Sequence, residues 1–273
     1  MKDTNPSRRS RNIGTAKQGH GQNNRMGIPE SLYGPAFFEK LGNVVQVVFG
    51  GFRILVEATR ENSVHACTVE DLITVLKLIP AADLGELNLI VLRQPKRKEE
   101  MLNPAWGRLI YAFGFEHNIQ PAIILEAVNL TGKITRDKKM SVAGQDEFIR
   151  LQQDGHQFST EKRAYIAPNQ LEAVRNTQLY RTLFHEVGHY VEYQQKVFYR
   201  PEELDAEEAF YSRRDVYFQI PKQEKELFAH SYADRIARDL QAQGKIPFPR
   251  ILNDAFLREH GLRKADFDAN SCI

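Results

Sequence analysis

Cysteine is scarce in this sequence, and its scarcity excludes two classes of small protein. The 273 residues contain two cysteines, Cys67 and Cys272, and no Cys-x-x-Cys pair. A disulfide-built secreted scaffold needs an even framework of cysteines, and a cysteine-rich zinc module needs Cys-x-x-Cys pairs. The sequence therefore indicates a chain that folds around an apolar core in a reducing compartment.

Long hydrophobic runs are missing as well. The start of the chain lacks the apolar stretch, about 7 to 15 residues long, that a secretory signal peptide needs. The most apolar region, 44–58, is interrupted by glutamine, glycine and arginine, and it is too short to cross a bilayer as a helix. We therefore expect a cytoplasmic protein without membrane contact, with a secreted effector left open as the alternative.

The chain has no excess of charge of either sign. Thirty-seven lysines and arginines face 35 acidic residues, which leaves a formal charge of +2 and argues against both a nucleic-acid coat and an acidic solvating protein. Residues 1–28 are the exception, because their only acid is Asp3 and they carry several lysines and arginines without apolar periodicity. We predict that 1–28 is a flexible basic tail and the only part of the chain that contacts nucleic acid, if any part does.

The order of the apolar patterns predicts an α+β fold, with a small, mostly antiparallel sheet followed by helices. Two β-rich runs, 44–49 and 52–57, flank Gly50-Gly51 and predict a hairpin. A helix is predicted to begin after Thr68, because Thr68 and Asp71 have the spacing of a capping box. Further strands are predicted at 87–92, 109–113 and 122–128, and later helices at 143–153, 170–195, 203–213 and 223–242.

These elements predict one domain over residues 29–250. Its first part, 29–140, is rich in strands, and its second part, 141–250, is helical and contains the candidate site described below. Residues 251–273 are predicted to be a C-terminal extension. Oligomeric state is not indicated by any pattern in the sequence.

The most specific pattern is His185-Glu186-Val187-Gly188-His189, an H-E-x-x-H segment. Histidines four residues apart project from the same face of a helix and can bind one zinc ion, while the adjacent glutamate can act as general base. The apolar residues of this helix lie on the opposite side, so the two histidines are not core residues. Gly188 in mid-helix costs about 1 kcal/mol relative to alanine, which indicates close packing or the approach of a ligand.

A catalytic zinc site needs a third protein ligand. Metzincins place a histidine six residues after the second one, and Gln195 at that position excludes this subclass. Glu226 is the best candidate, because it shares one edge of a predicted helix with small alanines that let helices approach closely. His230, one turn later, stays open as an alternative ligand or as a donor to the transition-state oxyanion.

Three further residues are candidates for supporting roles. Tyr211 and Tyr232 are candidate donors to the transition state. Asp234, eight residues after Glu226, is a candidate for orienting a histidine ligand.

Two segments resemble a known family of zinc proteins. Residues 182–190, TLFHEVGHY, resemble the active-site helix of the zincin metallopeptidases, and residues 226–233, ELFAHSYA, resemble the E-x-x-A-x-x-F-A helix of gluzincin-like proteins of the ImmA/IrrE type. In that family the glutamate of the second helix is the third zinc ligand, and it corresponds to Glu226. The resemblance covers residues 175–242, and it departs from the family pattern at Tyr232, where phenylalanine is usual, and in its long connection between the two helices.

The resemblance implies a hydrolase with one zinc ion per chain and a protein or peptide substrate, with Glu186 as general base. It also implies a sheet whose edge strand lies over the cleft and pairs with an extended substrate, for which 121–128 is the first candidate and 87–92 the second. Two other functions stay open. One is a non-catalytic regulator that keeps the zincin fold and binds proteins; the other is a DNA-associated protease of the SprT type, with His230 as ligand and the basic tail on DNA.

Overall fold

Strands and short helices alternate in the first part of the computed structural model, which describes residues 41–102, 105–116, 118–198 and 206–268. The strands are β1 (Val44–Phe49), β2 (Phe52–Glu57), β3 (Ser63–Val64), β4 (Leu89–Arg93), β5 (Gly107–Phe115), β6 (Asn118–Glu126), β7 (Val128–Asn129), β8 (Lys133–Asp137), β9 (Ser159–Thr160) and β10 (Ala164–Pro168). The helices are α1 (Val69–Leu76), α2 (Ala81–Leu84), α3 (Arg97–Leu102), α4 (Val142–Gln153), α5 (Leu171–Asn176), α6 (Leu183–Tyr193), α7 (Ala206–Gln219), α8 (Lys222–Ala242) and α9 (Asp254–Glu259). The α+β class is thus confirmed, and the predicted basic tail lies outside the described residues.

The main sheet has five strands in the order β1-β2-β4-β6-β5. The two outer pairs, β1 with β2 and β5 with β6, are antiparallel, whereas β2 pairs with β4 and β4 with β6 in parallel. The prediction of a mostly antiparallel sheet is therefore wrong for this sheet, which is mixed. The parallel pairing of β2 and β4 arises because α1 and α2 cross over between them, and a crossover returns the chain in the same direction.

Two local predictions are confirmed. The hairpin closes at Gly50 and Gly51, whose φ angles of 62° and 90° are those that favour glycine in a tight two-residue turn. The helix after Thr68 begins with a capping box, in which the Thr68 hydroxyl accepts from the Asp71 N–H and the Asp71 carboxylate accepts from the Thr68 N–H.

The boundaries predicted at residues 140 and 250 do not separate structural units. β8, which precedes residue 140, pairs with β10, which follows it, so a second small sheet with the order β8-β10-β9 joins the two parts. The region after Val142 is therefore not purely helical. Beyond residue 250, α9 and the turns after it bury apolar side chains in the main core, among them Phe256, Leu257 and Phe267, so the domain continues through this segment.

The helix predicted over 170–195 is one continuous helical segment that changes its winding. α5 leads into a π-helical turn at 177–182, then into α6, then into a second π-helical turn at 194–198. The apolar side of α6 packs against the sheet, where Leu183, Phe184 and Val187 are fully buried in the core. α7 extends six residues past its predicted end at 213. Among the described residues, no helix is long and apolar enough to span a membrane.

Candidate metal centre

Two helices position the predicted metal ligands. α6 contributes His185 and His189, and α8 contributes Glu226. The helices cross closely at Gly188, where a Cβ atom would lie 3.0 Å from both the Cα and the carbonyl oxygen of Ala229. Gly188 and Ala229 thus bring the backbones together and allow the Glu226 carboxylate to reach the histidines, in agreement with the close packing predicted at Gly188.

The three side chains converge. His189 Nε2 lies 3.1 Å from His185 Nε2, and His185 Nε2 lies 3.3 Å from Glu226 Oε2. One ligand atom from each residue lies within 4.8 Å of the others, and no other such cluster of three ligands occurs in the described part of the chain. Two imidazole nitrogens and one carboxylate oxygen are a donor set that zinc prefers.

The protonation states of these groups suit a cation. The pKa of His189 is lowered to about 3, first by burial and then by the charge of His185. The pKa of Glu226 is lowered to about 2, first by its hydrogen bond with His185. At neutral pH His189 is therefore a neutral imidazole and Glu226 is a carboxylate, the forms in which both residues bind zinc.

Glu186 lies beside the ligands and against the sheet. Its side chain is buried, and Oε2 accepts a hydrogen bond of 2.7 Å from the backbone N–H of Leu109 in β5. Burial raises the pKa of Glu186 above that of an ordinary glutamate. A carboxylate with a raised pKa is a better proton acceptor at neutral pH than a solvated one, which is what a general base requires.

The strand over the site is β5, not either of the predicted candidates. β5 is an edge strand, and with α6 and α8 it lines a cavity of about 270 Å³ that contains His185, Glu186, His189 and Glu226. The first candidate, 121–128, belongs largely to β6 between β4 and β5, and the second, 87–92, belongs to β4 between β2 and β6. Both candidates are wrong for the same physical reason: apolar content marks a buried strand, and the strands buried on both sides are the internal ones.

His230 lies next to the cluster without joining it. Its ring centroid is 4.4 Å from that of His185, while its Nε2 atom lies 3.3 Å from Arg150 Nη1 on α4. Burial lowers the pKa of His230 to about 4. The structure therefore places Glu226 among the ligand atoms and places His230 beside them as a neutral ring that packs on His185.

The three other candidates lie away from the cavity. Tyr211 on α7 is exposed and packs against Arg214. The Tyr232 hydroxyl donates to the carboxylate of Asp83 in α2. Asp234 is exposed. Its negative charge raises the pKa of His230, but burial lowers that pKa by more.

Sequence reasoning missed the other six residues that line the cavity, namely Gly107, Arg108, Leu109, Tyr111, Lys222 and Lys225. The hydroxyl of Tyr111 lies 2.9 Å from that of Tyr217, which donates to the backbone oxygen of His189 at 3.4 Å. Lys222 lies one turn before Glu226, with 3.6 Å between Nζ and Oε1, so helical spacing alone could have identified it. Tyr111 had no comparable signal, because its approach to α6 depends on the strand order.

No family model, curated protein or solved structure matches this chain. The fold and the site define an α+β protein with a candidate metal centre on an H-E-x-x-H helix.

Proposed function

We propose that this protein is a zinc-dependent metallopeptidase with a zincin-like fold. One observation carries the proposal: the ligand atoms of His185, His189 and Glu226 lie within 4.8 Å of one another, in a cavity that also holds the buried carboxylate of Glu186. Ligands alone would be compatible with a structural zinc. A carboxylate with a raised pKa beside them, open to a cavity, is the arrangement of a hydrolytic site.

The chemistry divides between the metal and Glu186. Zinc supplies polarisation of a substrate carbonyl and a lowered pKa of water when it is bound at these three residues. Glu186 accepts the proton of the attacking water and passes it to the amine that leaves. The N–H of Leu109 fixes the Glu186 carboxylate, so the proton acceptor does not have to be ordered during the reaction.

β5 supplies a place for an extended peptide. The hydrogen bond from Leu109 N–H to Glu186 shows that the backbone of this edge strand faces the cavity. An edge strand binds a peptide through main-chain hydrogen bonds, which hold the backbone without reading its side chains. A substrate strand added along β5 would lie with its peptide bonds at the ligand cluster.

Metal removal tests the proposal directly. Zinc-loaded protein is incubated with a proteome-derived peptide library, next to protein stripped with a chelator and protein stripped and then reloaded with zinc. We expect new peptide termini in the mass spectra with the loaded and reloaded protein only. Equal cleavage by stripped protein, or no cleavage by protein that carries one zinc per chain, would contradict the proposal.

The two alternatives lack comparable support. A protease of the SprT type needs His230 as ligand, but Nε2 of His230 faces Arg150. A regulator without catalysis leaves the buried Glu186 and its hydrogen bond to Leu109 without a role.

A further inference from the structure

A second cavity adjoins the metal cavity along β5. It has a volume of about 370 Å³, and Arg108 lines both cavities. Trp106 lines the second cavity, while Leu109 lines the first. Leu109, whose N–H contacts Glu186, lies three residues after Trp106, which corresponds to about 10 Å of extended chain at about 3.3 Å per residue. A peptide that lies along β5 with its scissile bond at the metal cavity therefore passes the second cavity two or three residues away.

The acidic residues of the second cavity are all engaged by arginines. Glu126 accepts from Arg93 at 2.7 Å and also pairs with Arg108. Glu99 pairs with the same Arg93 at 2.8 Å. The remaining acid that lines the cavity, Glu100, pairs with Arg60. These carboxylates are neutralised before any ligand enters.

The basic residues contributed by β8 are not neutralised in this way. Lys133 and Arg136 line the cavity, and neither side chain has an ionic partner within the described ranges. The Nε atoms of Arg136 and Arg108 are both buried without an acceptor among the described residues. Together with Arg60 and Arg93, which pair with its acids, the cavity has five basic groups against three carboxylates and therefore a net positive charge.

We propose that this cavity is a substrate subsite for a carboxylate, two or three residues from the scissile bond. The carboxylate belongs either to an aspartate or glutamate side chain or to the C-terminus of the peptide, and Arg136 is its principal partner. A guanidinium binds a carboxylate through two parallel charge-assisted hydrogen bonds, which makes it selective for this group over a neutral amide. The proposal rests on the proposed peptidase function for its substrate and on the second cavity for its chemistry.

Trp106 makes the cavity observable. It is the only tryptophan of the chain, it lines the second cavity, and its ring lies 5.7 Å from that of His156. Arg136 lines the same cavity, and its charge is near enough to His156 to contribute to the lowered pKa of that histidine, which arises chiefly from burial and is opposed by Asp154. Intrinsic fluorescence therefore reports a ligand that enters beside Arg136.

The experiment is a fluorescence titration of the zinc-loaded full chain as Glu186→Gln, which prevents hydrolysis of the probes. Three pentapeptides with blocked N-termini are compared: Ala-Ala-Glu-Ala-Ala amide, its Gln analogue as amide, and the Gln analogue with a free C-terminus. We expect a peptide with a carboxylate to bind about tenfold more tightly than the Gln amide. Preference for the Glu amide identifies a side chain as the source, and preference for the free acid identifies the C-terminus.

The matched variants are Arg136→Gln, in the cavity, and Arg163→Gln, exposed beside the same small sheet. Arg136→Gln should abolish the preference, and Arg163→Gln should keep it. Equal affinity for all three peptides, or equal preference in both variants, would overturn the carboxylate subsite. Hydrolysis by the protein with Glu186 intact is measured separately, so a carboxylate preference without any hydrolysis counts against the peptidase function and not against the cavity.

Discussion

Glu186→Gln is expected to lower kcat for peptide hydrolysis by about 10²–10⁴-fold, the usual contribution of general acid–base catalysis, while zinc content stays unchanged. The amide cannot accept a proton from water, but its oxygen can still accept the hydrogen bond from Leu109 N–H. The loss should therefore be chemical and not structural. The measurement is kcat on a peptide found in the library experiment, together with zinc content and thermal unfolding of the same preparation.

Glu224→Gln is the matched control for this substitution. Glu224 is exposed in the first turn of α8 and does not line the cavity, so the same change of charge should leave kcat within a factor of two or three. A zinc-loaded Glu186→Gln protein with full activity would remove Glu186 from the mechanism.

Asp71→Ala is expected to lower the free energy of unfolding by about 3–5 kcal/mol, because it removes the only buried counter-charge that the described residues provide for a buried guanidinium. Asp71 and Arg175 are fully buried and form two hydrogen bonds of 3.0 Å. Despite burial, the bond to Asp71 raises the pKa of Arg175 above its ordinary value, so the guanidinium stays charged. Asp71 also accepts from the Ile251 N–H, so one carboxylate joins α1, α5 and the C-terminal segment.

Glu172→Gln separates a buried ion pair from an exposed one on the same arginine. Glu172 Oε1 lies 3.1 Å from Arg175 Nη1, but its side chain is 62% exposed. Its removal should cost no more than about 1 kcal/mol. Denaturant unfolding of both variants checks the comparison, and equal destabilisation would show that burial does not govern this network.

The ligand cluster was predictable because its geometry is mostly local. The spacing of His185 and His189 determines that both rings share one helical face, and the structure keeps that face directed away from the apolar core. Glu226 required one further step, the recognition that small residues permit close helix contact. Gly188 against Ala229 is that contact, and it brings His185 and Glu226, which are 41 residues apart, to hydrogen-bond distance between their side chains.

The strand over the site was not predictable, because strand order depends on pairing between distant segments. Residues 109–113 and 122–128 have similar apolar content, so nothing in either sequence marks β5 as the edge and β6 as internal. The parallel pairing of β2 with β4 depends on the path of α1 and α2. The second cavity forms where β5 and β8, which belong to different sheets, come together. These features arise only when the sheet is assembled.

Zinc content by elemental analysis tests the central claim most directly. The wild-type protein, Glu226→Ala and His230→Ala are purified identically and dialysed against the same zinc buffer. Our account predicts about one zinc per chain in the wild type and in His230→Ala, and loss of most of it in Glu226→Ala. The reason is that Glu226 belongs to the cluster of three ligands, whereas His230 does not. Full zinc content in Glu226→Ala, or none in the reconstituted wild type, would contradict it.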